Sequence, residues 1–287
     1  MNRIGISGWT YAPWRGVFYP DDLTQKRELE YASRQFRSIE INGTHYSLQR
    51  PTTFRRWYEE TPEDFVFSVK GSRYITHIRR LKNVGQPLAN FFASGVLTLR
   101  EKLGPFLWQL PPSLRFDADV LTAFLKLLPP TTTAAAKLAR QHDDSLKARA
   151  DLQPGPRRRL RHCMEVRHES FMVPEFFALL RRYKVAFVFA DTAGKWPYAE
   201  DLTSDFVYIR LHGDKKIYVS GYTPEALDCW AGRIKSWNRG RQPRDARLVT
   251  PRAEATRQKR DVYVYFDNDL KVKAPEDSRE LARRLGS

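Results

Sequence analysis

Two cysteines in 287 residues, Cys163 and Cys229, are too few for a disulfide framework, and neither stands at a metal-ligand spacing from the other. A reducing compartment is the expectation that follows. No stretch approaches the roughly 20 apolar residues that cross a bilayer. The opening MNRIGISGW lacks the basic region and apolar run of a signal peptide, so the chain is expected to be soluble and cytoplasmic, with no membrane partner. His-x-His and His-Glu-x-x-His spacings do not occur, and no RNP, KH or helix-turn-helix signature is found.

Acid is also in short supply. Against 49 Lys and Arg there are 33 Asp and Glu, a formal net charge of +16 and a pI near 9.9. Taken alone, that excess points to a polyanion such as nucleic acid. Much of it lies in two places, an excess of five positive charges over residues 137–161 and of six over residues 239–260. The rest of the chain is only mildly basic.

What the sequence does contain is ample material for a core, 41% hydrophobic and 13% aromatic residues, enough for one large domain or two small ones. Short runs rich in Val, Ile and Phe recur at 3–7, 38–42, 65–70, 106–110, 163–167, 185–191, 206–212 and 262–267. Helix-like segments separate them, such as TQKRELEYASRQF, TTFRRWYEE and TPEALDCWAGRIKSW, the last with Thr223 as a cap before Pro224. Eight alternating units predict a single-domain (β/α)8 TIM barrel over residues 1–287, with an open doubly wound sheet as the alternative. Two long basic helix-to-strand insertions, 129–160 and 239–260, precede strands five and eight. In a barrel such connections lie opposite the active face, so they are expected away from the chemistry or folded over the outside.

The run FVYIRLHG at 206–213 ends an apolar strand on an arginine and a histidine. Two-residue alternation sends Arg210 and His212 to one face and Val207, Ile209 and Leu211 to the other. Applied to the other strands, the same parity turns Glu40, Asn42, Ser68, Lys70, Gln109, Glu165, Arg167, Tyr265 and Asp267 inward. Ser7 and Asp191 complete the ring. Burying so many ionisable groups costs several kcal/mol per ion unless each is paired, which favours a site over a purely structural layer. Aromatic residues crowd the strand-to-helix loops, among them Trp9, Tyr11, Trp14, Tyr19, Tyr46, Tyr74, Trp196, Tyr198, Tyr218 and Tyr222. Ring faces beside charges suit a sugar or nucleobase bearing an anionic group.

The ordered segments GISGWTYAPWRGVFYP, EINGTHY, FVFSVKGSRYITH, GPFLWQLPP, MEVRHESF, FADT, YIRLHG and YVYFDND are similar to those of the YecE-like family, a domain of unknown function numbered 72. The match spans nearly the whole chain. The resemblance implies a TIM barrel and implies no reaction; the helical LARQHDDSLKARADL resembles a feature of one subgroup. Family members often carry Ser at Gly43, Phe at His45 and an Asn pair at Asp267 and Asn268. A carboxylate at 267 can replace an amide acceptor but not an amide donor.

Three functions compete at this point. In the first, an enzyme performs acid/base chemistry on a small anionic, sugar- or nucleotide-like substrate, a hydrolase or lyase by preference. Arg167 and Arg210 clamp the anion, Glu40 and Glu165 divide the acid and base roles, and Lys70 or His212 holds their pKa values apart. Ser7, Trp9, Asn42, Gln109, Asp191, Asp267 and Asn268 contact the substrate. Lys70 could instead form a Schiff base. In the second, Glu40, Glu165, Asp191, Asp267 and His212 bind a divalent metal in a phosphodiesterase-like barrel, although the interleaved cations would repel it, so no cofactor is expected. In the third, the basic insertions bind nucleic acid without catalysis.

Overall fold

The structure, a computed structural model, describes residues 1–251 and 258–286. The strands are β1 (Asn2–Ser7), β2 (Ser38–Ile41), β3 (Val66–Lys70), β4 (Leu103–Gln109), β5 (His162–Glu165), β6 (Ala186–Asp191), β7 (Phe206–Leu211) and β8 (Asp261–Phe266). They pair in parallel in chain order, and β8 closes onto β1 through pairs such as Ile4 with Val264. The fold is therefore a closed TIM barrel, and the open-sheet alternative falls away.

The outer layer is built from α1 (Glu28–Gln35), α2 (Gly43–Tyr46), α3 (Pro51–Glu60), α4 (Gly85–Ala93), α5 (Ala118–Leu127), α6 (Thr132–Ala139), α7 (Pro174–Tyr183), α8 (Pro224–Asn238) and α9 (Lys273–Leu285). Local chemistry sets their starts. The Thr223 side chain accepts from Ala226 N ahead of Pro224, as the sequence predicts, and Asp117 caps α5 by accepting from Asp119 N and Val120 N. The outward strand positions, among them Ile39, Ile41, Phe67, Val69, Ile209 and Leu211, are buried against these helices in one continuous core.

Strand and helix do not alternate throughout, contrary to the sequence pattern: the described residues 192–205 between β6 and β7 contain no helix. The second insertion covers this gap. Buried Asp201 accepts from Val249 N at 2.8 Å and Thr250 N at 3.0 Å, and Glu200 N donates to Arg247 O. Arg181 on α7 reaches Thr250 Oγ1, and Arg233 on α8 bridges Glu200 and Asp245. Thus residues 239–251 are part of the barrel wall; 252–257, the rest of the expected basic run, lie outside the described residues.

The first insertion does fold over the outside, but as two short pieces. α6 stops at Ala139 and a 3-10 turn, Asp144–Arg149, follows. The break is held from α4: Gln86 Nε2 donates to Gln141 O at 2.6 Å and Asn90 Nδ2 to Asp143 Oδ1 at 3.1 Å. Its tip, with Asp143 and Ser145, lines a groove of about 540 Å³ together with Ser72 and the exposed rings of Tyr46 and Tyr74. It therefore approaches the strand-to-helix loops and does not stay at the far face.

Candidate functional site

The barrel interior is layered. Phe206, Cys163, Val188 and Tyr263 belong to an apolar interior cluster, and small inward residues on β6, Ala186, Val188 and Ala190, leave room for long side chains from β7. Within the barrel the hydroxyls pair off: Ser38 Oγ with Tyr265 OH, and Ser68 Oγ with Tyr208 OH, both at 2.6 Å. The Tyr208 hydroxyl also donates to Glu40 Oε2 at 2.6 Å, which links this layer to the charged one above.

Arg210 is the centre of the charged layer and is 1% exposed. Its Nε and Nη2 donate to Glu40 Oε2 and Oε1 at 3.1 and 2.9 Å, Nη1 to Glu165 Oε2 at 2.9 Å, and Nη2 also to Asp267 Oδ2 and Ser7 Oγ, both at 3.0 Å. Ser7 Oγ donates in turn to Glu40 Oε1 at 2.5 Å, and Asn42 Nδ2 donates to Ser7 Oγ at 3.1 Å. Gln109 Nε2 donates to Glu165 Oε1 at 2.9 Å. His212 places Nε2 3.3 Å from Arg210 Nη1 and Nδ1 3.0 Å from Asp267 Oδ2, the second a close contact without hydrogen-bond alignment. Burial pushes the Glu165 carboxyl up, but Arg167, Arg210, His212 and Lys70 outweigh it and hold the group well below the carboxylate range. Asp267 is likewise depressed, with Arg210 and His212 prevailing over burial.

Two cations at this mouth are not consumed in that way. Lys70 closes β3 and is 8% exposed, yet its ammonium has no hydrogen bond or ion pair among the described residues. Burial first, and then the Arg210 guanidinium, push it down to about 8 against the pull of Glu40, Asp267 and Glu165. The chain turns away directly after it: a Cβ on Gly71 would stand 2.3 Å from the Trp108 ring, so only glycine fits there. Arg167 donates through Nε to Glu165 Oε1 at 2.8 Å, and its guanidinium lies 3.6 Å from the centre of the Trp196 ring. Its terminal nitrogens carry no hydrogen bond to protein among the described residues.

The structure thus brings Ser7, Glu40, Asn42, Lys70, Gln109, Glu165, Arg167, Arg210, His212 and Asp267 to one end of the barrel. Three expected members are elsewhere. Trp9 packs edge-on against Trp57, 5.2 Å between ring centres, and beside Phe67, so it belongs to the helix-facing core. Asn268, two residues past the end of β8, turns outward and donates from Nδ2 to Ser220 O and Asp277 Oδ2, the face opposite to that of Asp267. Asp191 falls on outward parity, Ala190 holding the inward position, and accepts from the Tyr222 hydroxyl at 3.1 Å. Arg210, expected to clamp the substrate, is enclosed by the protein's own acceptors.

Other residues enter that periodicity did not single out. Tyr208 lies on the same face as Arg210 and could have been found by the same parity. His77 comes from a π-helical turn, Tyr74–Ile78, for which the sequence carries no periodic signal. Burial, then the charges of Lys70 and Arg167, lower its ring to about 4, and burial and Lys70 lower His45 to about 3. Tyr218 stands edge-on to His212 with ring centres 5.4 Å apart and holds a left-handed backbone, φ 64°. That conformation costs a non-glycine residue about 1 kcal/mol or more.

The metal reading does not fit the donors present. Glu40, Glu165 and Asp267 all face Arg210, and among the described residues no group of three or more His, Cys, Asp or Glu side chains is arranged to hold a metal ion. Nor, among those residues, is any helix long and apolar enough to cross a membrane.

A profile of the family described as "Protein of unknown function DUF72" matches residues 3–287. The chain belongs to the DUF72 family. Among relatives, it is similar to the UPF0759 protein YecE of Escherichia coli (strain K12), 30% identical over 130 residues, which are 45% of this chain and 45% of YecE. It is also similar to the UPF0759 protein YunF of Bacillus subtilis (strain 168), 27% identical over 117 residues, 39% of this chain and 40% of YunF. The chain thus spans about half the length of the relatives it matches. Of solved structures, a DUF72 family protein from Thermotoga maritima MSB8 superposes with a TM-score of 0.76 at 23% identity, covering 100% of both chains. Another from Enterococcus faecalis V583 gives 0.70 at 16% identity, covering 100% of this chain and 96% of that one. At these identities the likeness concerns the fold. DUF72 membership supports the predicted barrel and carries no reaction.

Proposed function

We propose that this DUF72 protein is an enzyme that acts on a small anionic, sugar- or nucleotide-like substrate at the C-terminal mouth of its barrel by acid/base chemistry. The observation that carries the reading is Lys70, a largely buried side chain whose ammonium has no partner among the described residues, at the same barrel mouth as the unfilled donors of Arg167; both cations act on the Glu165 carboxyl and on the His77 ring. A largely desolvated cation without a counter-ion is destabilising, and an anion bound at this mouth would relieve it. Glu40 and Glu165, held by Arg210, supply a fixed negative field, while Lys70, poised near 8, is the group able to exchange a proton near neutral pH. Tyr218 offers its ring to the organic part of the substrate, while Trp196 backs the Arg167 guanidinium.

The first basic segment adds little to a nucleic-acid reading. Arg159 pairs with Asp205, and Arg161 with Asp205 and Asp261, so part of its charge is neutralised within the protein.

The test is a thermal-shift panel of small carboxylates, sugar phosphates and nucleotides on the native protein, on Lys70→Met and on Arg167→Met. At least one anion should stabilise the native protein and lose most of its effect in both variants. A panel that leaves the native protein unmoved, or moves all three equally, would reject the reading.

A further inference from the structure

We propose that Lys70 is an imine-forming residue: its Nζ condenses with the carbonyl carbon of a small compound that also bears an anionic group, and Arg167 holds that group. This rests on the anion site read above and names the chemistry of its ligand.

The chain contains its own comparison. Lys102, 4% exposed, donates from Nζ to Tyr58 O at 2.6 Å, Thr61 O at 2.8 Å and Thr61 Oγ1 at 3.2 Å, and so behaves as a buried lysine that serves the fold. Lys70 is nearly as buried and has none of these bonds. Its side chain ends at the mouth of a barrel whose strand ends carry the open chemistry. Glu40, Glu165 and Asp267 Oδ2 bond Arg210, and no carboxylate among the described residues comes within ion-pair distance of the Lys70 ammonium. The result is an amine kept out of ion pairs and desolvated, the condition under which a lysine becomes a nucleophile near neutral pH. At about 8, its neutral fraction at pH 7 exceeds that of an ordinary lysine by about two orders of magnitude.

The step balances without a further reactant. The ammonium releases one proton, and the freed pair on Nζ attacks the carbonyl carbon while the C=O π pair moves to oxygen. The oxygen collects that proton and a second from nitrogen and leaves as water as the nitrogen pair closes the C=N bond. Ammonium plus carbonyl gives iminium plus water. The single positive charge is conserved, so the iminium faces Glu40, Glu165 and Asp267 as the ammonium did. Arg167 offers its terminal nitrogens to a carboxylate or phosphate in the fork geometry such groups accept. The substrate class is therefore a small oxo acid or a phosphorylated aldehyde or ketone.

The experiment uses the native full chain with pyruvate, or with neutral acetone, in the presence of cyanoborohydride, which reduces an iminium to a stable secondary amine. Peptide mass spectrometry then reads the modified lysines over time. Pyruvate is expected to label Lys70 at least about tenfold faster than exposed lysines such as Lys82 and Lys126 at pH 7, acetone more slowly than pyruvate, and urea-unfolded chain without preference. Labelling of Lys70 no faster than Lys82, or equal labelling by acetone and pyruvate, overturns the proposal. If anions stabilise the native protein through Lys70 and Arg167 while Lys70 stays unlabelled, the imine is wrong and the anion site stands; if no anion stabilises it, both fail.

Discussion

Glu40 and Arg210 meet as a two-point pair across the barrel, Nε to Oε2 at 3.1 Å and Nη2 to Oε1 at 2.9 Å, and neither side chain is more than 1% exposed. The fork shape of the guanidinium makes this geometry possible; a lysine at 210 would offer a point charge. Because the same guanidinium also meets Glu165 and Asp267, one cation organises carboxylates from β2 and β5 and the one just past β8. It holds all three in place, and none of them reaches the Lys70 ammonium.

Removing Arg210 strands buried carboxylates. Arg210→Met should lower unfolding free energy by at least about 3–5 kcal/mol in urea denaturation. Adding Glu40→Gln should recover about 1 kcal/mol or more, because the stranded charge on Glu40 disappears with it. A loss under about 1 kcal/mol, or strict additivity, would contradict the positioning role.

Asp201→Asn probes the wall between α7 and α8. The carboxylate accepts from Val249 N, Thr250 N and the Thr250 hydroxyl, and faces Arg181 at 3.4 Å. An amide has one acceptor atom fewer and turns a donor towards those N–H groups, a change worth about 1–3 kcal/mol. Faster trypsin cleavage after Arg247 than in the native protein is the expected readout; equal cleavage would show that Asp201 does not hold the segment.

The barrel and most of the site were legible because both follow from a period of two. Once Ile39 and Ile41 are assigned outward, Glu40 has no other direction, and the same holds for Lys70, Glu165 and Arg210. The rule fails where the strand stops: Asp191 and Asn268 sit at strand ends, one step out of phase with the inward set, and Trp9 lies past a glycine with φ +83° at which the chain leaves β1. Periodicity also says which way a side chain points but not what it meets, so the enclosure of Arg210 could not be read from 206–213. The basic run at 239–260 looked separable because charge is visible in a sequence, whereas its attachment through Asp201 and Glu200 is a long-range contact.

Arg167→Lys keeps the charge and removes the fork and the flat contact with Trp196, 3.6 Å from the ring centre. Anion affinity, measured by titration calorimetry with the best anion of the panel, should fall about tenfold or more, while stability changes by less than about 1 kcal/mol because the positive charge opposite Glu165 is kept. Unchanged affinity would mean that Arg167 is not the anion holder.

The state of Lys70 can be read from stability alone. Its folded value of about 8 lies below the ordinary 10.5, so between those pH values the unfolded chain carries a proton that the folded chain has released. Linkage then makes stability rise with pH across that window, and below about 8 the folded protein bears the full cost of the desolvated ammonium, about 3 kcal/mol. Lys70→Met removes that cost. The variant should be more stable than the native protein at pH 7 by up to about 3 kcal/mol, and the advantage should shrink towards zero as pH approaches 10.5. Tyrosines titrating in the same range affect both proteins alike and cancel in the difference. Urea denaturation of both at pH 7 and pH 10 measures it. A variant less stable at pH 7, or a gain that stays constant with pH, would place Lys70 in an ion pair and remove the basis for a free amine in the barrel mouth.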